Sequence, residues 1–298
     1  MGTVARSIHE KMVRLSRSDL RHCQGTGLII DLSCKIIVKS VSRLILSLFS
    51  MFLSALTFAQ GGLSTDFEKL VYTSNGESLP YRLLKPEQTE PGKKYPLILF
   101  LHGAGERGTD NELHINHITG IFLDAQNRKK FPCYVLAPQC PKNVMWAAHD
   151  REGNMKSSPS AIMQLVIDLL DKTEKTFPID VSRIYITGLS MGGYGTWELI
   201  ARFPERFAAA VPVCGGGDPS TAERMSHVPV WAFHGSHDTT VRPANSRKMI
   251  RALQAAGAKP GYTEYPDVGH DSWVYAYREP YLLPWMFDKR LDKKSNPN

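Results

Sequence analysis

From residue 60 onward the apolar positions alternate between two spacings. Unbroken apolar runs such as YPLILFLHG and CYVLAPQ have the length of strands and the composition of strands covered on both faces. Between such runs, SPSAIMQLVIDLLDKTEKTF, GGYGTWELIARF and RPANSRKMIRALQAAG repeat apolar residues every three or four positions, which is helical spacing. FEKLVYT and SLPYRLLKP flank Asn75-Gly76, a pair that favours a two-residue hairpin turn. SRIYITG, FAAAVPVCGG, PVWAFHG and GYTEYPD complete the predicted strands. A polar, histidine-containing stretch over 105–120 precedes a helix ending before Pro132, and YLLPWMFDKR is a last helix, begun or broken at Pro284. Ser158, followed by Pro159, is expected to cap the helix that starts near residue 160, and Gly257 to close the one before the last strand. Strand followed by helix, repeated, predicts an α/β fold: a mostly parallel central sheet with helices on both faces, in one domain over 60–298.

Residues 1–59 follow a different pattern. Lys39 and Arg43 precede a 15-residue apolar stretch over 44–58, and Thr57-Phe58-Ala59 places small residues at the −3 and −1 positions of a cleavage site before Gln60. This is the layout of a secretory signal peptide, with a membrane anchor as the alternative, although the stretch is short of the roughly 20 residues a bilayer needs. The polar lead before it predicts a translation start near Val38. A secreted or periplasmic protein follows from the first reading.

Charge and cysteine content narrow the picture. The net charge is +7 over 298 residues, and +5 of it belongs to residues 1–59, which hold eight basic and three acidic residues. The remainder carries only +2, with no basic stripe interleaved with aromatics, so nucleic acid is not an expected partner. Cleavage after Ala59 would leave Cys133, Cys140 and Cys214. An oxidising compartment would allow a local Cys133–Cys140 bridge; the alternative is three buried, small apolar residues. No Cys or His spacing suggests a metal site, and no cofactor is expected.

The chemistry concentrates in GLSMG, residues 188–192, between a strand and a helix. Gly-x-Ser-x-Gly in that context is a nucleophile elbow: the turn is tight enough that side chains two positions either side of the serine would collide with their neighbours. Ser190 is the candidate nucleophile. It needs a base and an orienting acid, expected after later strands in the order serine, acid, histidine. Asp238 in FHGSHDTTV and His270 in DVGHDSW occupy those places, with Asp218 as a rival acid one strand earlier. His234, at a strand end, reads as structural, and Asp267 and Asp271 as loop residues. Two backbone amides must face the developing oxyanion. The expected donors are those of Met191, after the nucleophile, and Ala104, in the HGAGERG loop shaped by His102 and Gly103. Trp146, Tyr194 and Trp273 fall near loops that would ring such a site and are candidate substrate contacts. Glu106 and Arg107 would either reach substrate or pair with each other.

LHGAGERG, PQCP, GLSMGGYGTW, FHGSHDTTV and GHDSW, in this order, resemble the α/β-hydrolases, and among them the phospholipase/carboxylesterase, dienelactone-hydrolase-like and polyhydroxybutyrate-depolymerase-like esterases over residues 66–290. The resemblance implies the α/β-hydrolase fold, with Ser190 as nucleophile, Asp238 as acid and His270 as base, acting on carboxylic esters through an acyl-enzyme without a metal or organic cofactor. It implies small or polysaccharide-linked acyl esters as substrates. Peptidase activity of the prolyl-oligopeptidase type is the alternative, though the propeller of those enzymes has no counterpart here. Acyl transfer and a non-catalytic binding role are further alternatives.

Overall fold

The computed structural model describes residues 66–150 and 152–291; the signal-peptide-like segment and its cleavage site lie outside the described residues. Eight strands form one sheet in the order β1-β2-β4-β3-β5-β6-β7-β8. Strands β1 (Phe67–Ser74) and β2 (Glu77–Leu84) pair antiparallel. Asn75 and Gly76 both take positive φ, 52° and 81°, as their turn requires. Strand β2 pairs antiparallel with β4 (Tyr134–Pro138). All other neighbours run parallel: β3 (Tyr95–Leu101), β5 (Ile179–Leu189), β6 (Ala209–Val213), β7 (Trp231–Gly235) and β8 (Gly261–Tyr265).

Every residue of β3 is buried because successive side chains leave opposite faces and both faces are covered. Leu97, Leu99 and Leu101 join one apolar cluster, and Ile98 and Phe100 the other. Helices α1 (Thr119–Phe122), α6 (Trp273–Ala276) and α7 (Leu282–Asp288) contribute to the second cluster, beside the short surface helix α2 (Ala125–Lys130). Helices α3 (Ala161–Thr176), α4 (Met191–Arg202) and α5 (Ala244–Ala255) contribute to the first. Helix α3 buries Ile162, Met163, Val166, Ile167, Leu169 and Leu170, the stripe its spacing predicts.

One local expectation is corrected, and one pair of alternatives is decided. The cap of α3 is Ser160, not Ser158: its Oγ accepts from Met163 N at 3.1 Å and donates to Trp146 O at 2.7 Å. Cys133 and Cys140 form no bridge. They flank β4 seven positions apart, an odd separation, so they enter opposite apolar clusters as free, buried thiols.

Because β3 and β5 to β8 are parallel, the loops leaving their C-terminal ends meet along one edge of the sheet, where open α/β sheets bind ligands. The closest approach there is that of α4 to β3. A Cβ on Gly192 would stand 1.8 Å from Leu101 O, and one on Gly188 2.4 Å from Gly192 O. Both obstacles are backbone, so neither can swing aside. We expect Gly192→Ala to lower the unfolding free energy by about 3 kcal/mol, measured by urea titration, whereas Ala at Gly76 should cost about 1 kcal/mol through its φ alone.

Candidate active site

Ser190 stands between β5 and α4 with φ 53° and ψ −115°, a conformation L-residues rarely take. Its amide donates to Val213 O at 2.9 Å and its carbonyl accepts from Tyr194 N at 3.1 Å. The strained residue is thus pinned on one side by β6 and on the other by the first turn of α4. Met191 opens α4, so its amide belongs to the first turn, whose N–H groups have no acceptor within the helix. The helix dipole there favours negative charge.

His270, in the loop after β8, reaches Ser190 across 80 positions of sequence. Its Nε2 lies 2.8 Å from Ser190 Oγ and its Nδ1 2.7 Å from Asp238 Oδ2. A carboxylate only accepts, so Nδ1 carries the proton and Nε2 is free to accept from the serine hydroxyl. Asp238 is fully buried at its side chain and is held by the loop after β7: Oδ1 accepts from Thr240 N and Val241 N, each at 2.9 Å. Asp218 is committed elsewhere. Its Oδ1 accepts from Ser220 N and Oγ, and its Oδ2 from Met155 N. His237 and Asp267 pair with each other at the surface at 3.3 Å.

The third unused thiol, Cys214, sits at the end of β6 beside this line. Its Sγ, a carboxylate oxygen of Asp238 and a ring nitrogen of His270 lie within 4.8 Å of one another. Burial pushes the thiol up to about 12, so it stays protonated at neutral pH and offers neither a thiolate nucleophile nor a ready metal ligand.

The loop after β3 is fixed by buried histidine chemistry. His102 Nε2 accepts from Cys140 N at 2.9 Å, which leaves the proton on Nδ1, donated to Gly103 O at 2.6 Å. Ala104 opens a short 3₁₀ turn, Ala104–Glu106, next to this anchored pair. Arg107 and Glu106 do not pair: Arg107 donates to Ala104 O and Val144 O, while Glu106 Oε1 faces His117 Nε2 at 3.2 Å. Burial opposes the charge of Glu106, yet His117 holds its carboxyl below the usual carboxylate range.

Of the three aromatic candidates, Trp146 is corrected. It is fully buried, edge-on to His102 with ring centres 5.2 Å apart, and its Nε1 donates to His102 O at 3.0 Å. No face of it is open to a substrate; it ties the cap of α3, through Ser160, to the loop after β3. Tyr194 and Trp273 are half-buried. Trp273 stands edge-on to His270 at 5.4 Å. Tyr194 accepts from Asn245 Nδ2 at 2.9 Å and walls a cavity of about 300 Å³ with Met145, Ala147, His149, Gly153 and Gly217.

A serine in an elbow, a histidine on it and a carboxylate behind the histidine, all at the C-terminal edge of this sheet, fit one fold. The chain has the α/β-hydrolase fold. Residues 146–281 match the dienelactone hydrolase family. A solved thermostable esterase is 39% identical, with TM-score 0.70, over 76% of this chain and 64% of its own. The chain is also similar to a bifunctional acetylxylan esterase/xylanase of Neocallimastix patriciarum, 31% identical over 75 residues, 25% of this chain and 11% of that protein. It is similar to poly(3-hydroxyalkanoate) depolymerase C of Paucimonas lemoignei, 26% identical over 193 residues, 52% of this chain and 43% of that protein. This α/β-hydrolase thus spans less than half the length of those two curated relatives. No described helix is long and apolar enough to cross a membrane.

The buried histidines give a prediction. Burial lowers His102 to about 4 and His114 to about 3, both from 6.5. Between those values and 6.5 the unfolded chain binds protons that the folded chain refuses. Stability is therefore full above pH 6.5 and falls as the pH drops toward 4. His102 alone should account for about 3 kcal/mol of that fall. Denaturant midpoints at pH 7 and pH 4.5 measure it, and His102→Gln should flatten the decline.

Proposed function

We propose that this α/β-hydrolase is a serine hydrolase that cleaves carboxylic esters through an acyl-enzyme on Ser190. One observation carries the proposal: the continuous hydrogen-bonded line from Ser190 Oγ through His270 to Asp238, at 2.8 and 2.7 Å. His270 Nε2 takes the hydroxyl proton as Oγ attacks the ester carbonyl. The imidazolium so formed is stabilised by Asp238, whose other oxygen is already saturated by two backbone donors. The amides of Met191 and Ala104 receive the oxyanion, a role worth roughly 3 to 4 kcal/mol for each donor. His270 then protonates the leaving alcohol, and water attacks the acyl-enzyme with the same histidine as base.

For substrate, the reading is a small or polysaccharide-linked acyl ester. Similarity to an acetylxylan esterase and to a polyester depolymerase supports this, and so do Tyr194 and Trp273 as half-buried aromatic surfaces flanking the line. The signal-peptide-like segment supports action outside the cytoplasm.

A panel of p-nitrophenyl esters, acetylated and feruloylated xylan and peptide anilides tests the reaction class. Short-chain ester hydrolysis is expected, with kcat reduced about 10⁴-fold or more in Ser190→Ala and in His270→Ala. Undiminished turnover in Ser190→Ala would remove the proposed nucleophile. Cleavage of anilides in preference to esters would make the chain a peptidase.

A further inference from the structure

His234 reads from sequence as a structural histidine, yet it touches the site from behind. Its side chain is fully buried at the end of β7, and its Nε2 lies 2.8 Å from Val241 O and 3.2 Å from Asp238 Oδ2. Both neighbours are acceptors, so Nε2 carries a proton, which it donates to Val241 O while facing the Asp238 carboxylate beside it. On the opposite side of the ring, Ser246 Oγ of α5 lies 2.8 Å from Nδ1 and 3.1 Å from Gly215 O. The ring is therefore clamped between α5 and the loop that carries Asp238. The same carboxylate oxygen that receives His270 Nδ1–H also lies against His234 Nε2–H.

We infer that His234 is a positioning residue for the reaction proposed above: its Nε2–H fixes the Asp238 carboxylate so that Oδ2 stays aligned on His270. The inference rests on the serine-hydrolase reading. The carboxylate accepts three N–H hydrogen bonds, two from the backbone on Oδ1 and one from His270 on Oδ2, and a fourth N–H, that of His234, lies 3.2 Å from Oδ2. Without the His234 donor, Oδ2 is fixed only by the residue it is meant to orient. It is also less stabilised as an anion and attracts the proton of His270 more strongly.

The surroundings keep His234 a neutral donor. Burial lowers its pKa, opposed by Val241 O, Asp238 and, on the adjoining strand β8, Glu264. Glu264 is itself taken up by Arg247 of α5 and by Tyr262 Oη. Cys214 on the β6 side is protonated, and Ser246 does not titrate. Among the described residues, Asp238 is the one charged group within hydrogen-bond distance of the ring.

Three variants separate positioning from mere packing. His234→Gln restores an amide N–H near the place of Nε2. His234→Asn reaches toward Ser246 but falls short of Asp238. His234→Leu keeps volume and offers no donor. With a p-nitrophenyl ester, kcat should fall about tenfold in the Asn and Leu variants with KM unchanged, and the acid limb of kcat/KM against pH should move upward. Gln should regain most of the rate and the original limb. Circular dichroism of each variant reports folding, and the Gln–Asn comparison stands even if the Leu variant does not fold. Equal kcat and superimposable pH profiles in folded Gln and Asn variants would overturn the inference. Ser190→Ala is assayed alongside: activity surviving there counts against the serine-hydrolase reading, whereas wild-type behaviour of the His234 variants with Ser190→Ala inactive counts against His234 alone.

Discussion

The approach of the first turn of α4 onto the end of β3 sets the geometry of everything above the sheet. Gly192 packs its Cα against the Leu101 carbonyl with no room for a methyl group, and Gly188 is crowded in turn by the Gly192 carbonyl. That contact forces Ser190 into positive φ and lifts its hydroxyl off the sheet edge. The strain is sustained because the elbow is fastened at several points at once: Ser190 N to Val213 O, Tyr194 N to Ser190 O, and Thr196 Oγ1 to Gly192 O. A backbone conformation that costs of order 1–3 kcal/mol persists only when its surroundings over-determine it.

Around that elbow, buried polar groups are used as fasteners. His102 links the loop after β3 to Cys140, Trp146 links His102 to Ser160, and Ser160 caps α3. Glu198, fully buried on α4, accepts from Ala148 N and pairs with Arg202 at 2.7 Å. His234 does the same work between α5 and the loop of Asp238. Each is satisfied on both sides, which is what allows such groups to be buried. The price is sensitivity to acid, since neutral buried imidazoles lose their advantage once the unfolded chain can protonate freely.

Much of this was legible in the sequence. Strand and helix order, the hairpin at Asn75-Gly76 and the elbow at 188–192 follow from local pattern, because their causes lie within a few residues. The choice of Asp238 over Asp218 rested on chain order; in the fold Asp238 lies behind His270, while Asp218 caps a local turn. What sequence could not convey is which partner a side chain finds across the fold. Trp146 looks like an aromatic on a loop, and only its contact with a carbonyl 44 positions away makes it part of the scaffold. Ser158 and Ser160 are equally good caps by type, and the neighbour Trp146 O selects the second. His234 did carry a faint signal, since it stands four positions before Asp238. That spacing gains meaning only when the intervening loop turns back on itself.

The central claim is that three distant loops bring Ser190, His270 and Asp238 into one proton-transfer line. A fluorophosphonate probe followed by peptide mass spectrometry tests this most directly, because it reports activation of a serine independently of substrate choice. The account predicts one adduct, on Ser190, formed fast at neutral pH and at least about a thousandfold more slowly in His270→Ala. Equal labelling of Ser190 in wild type and His270→Ala, or an adduct on a different serine, would contradict it.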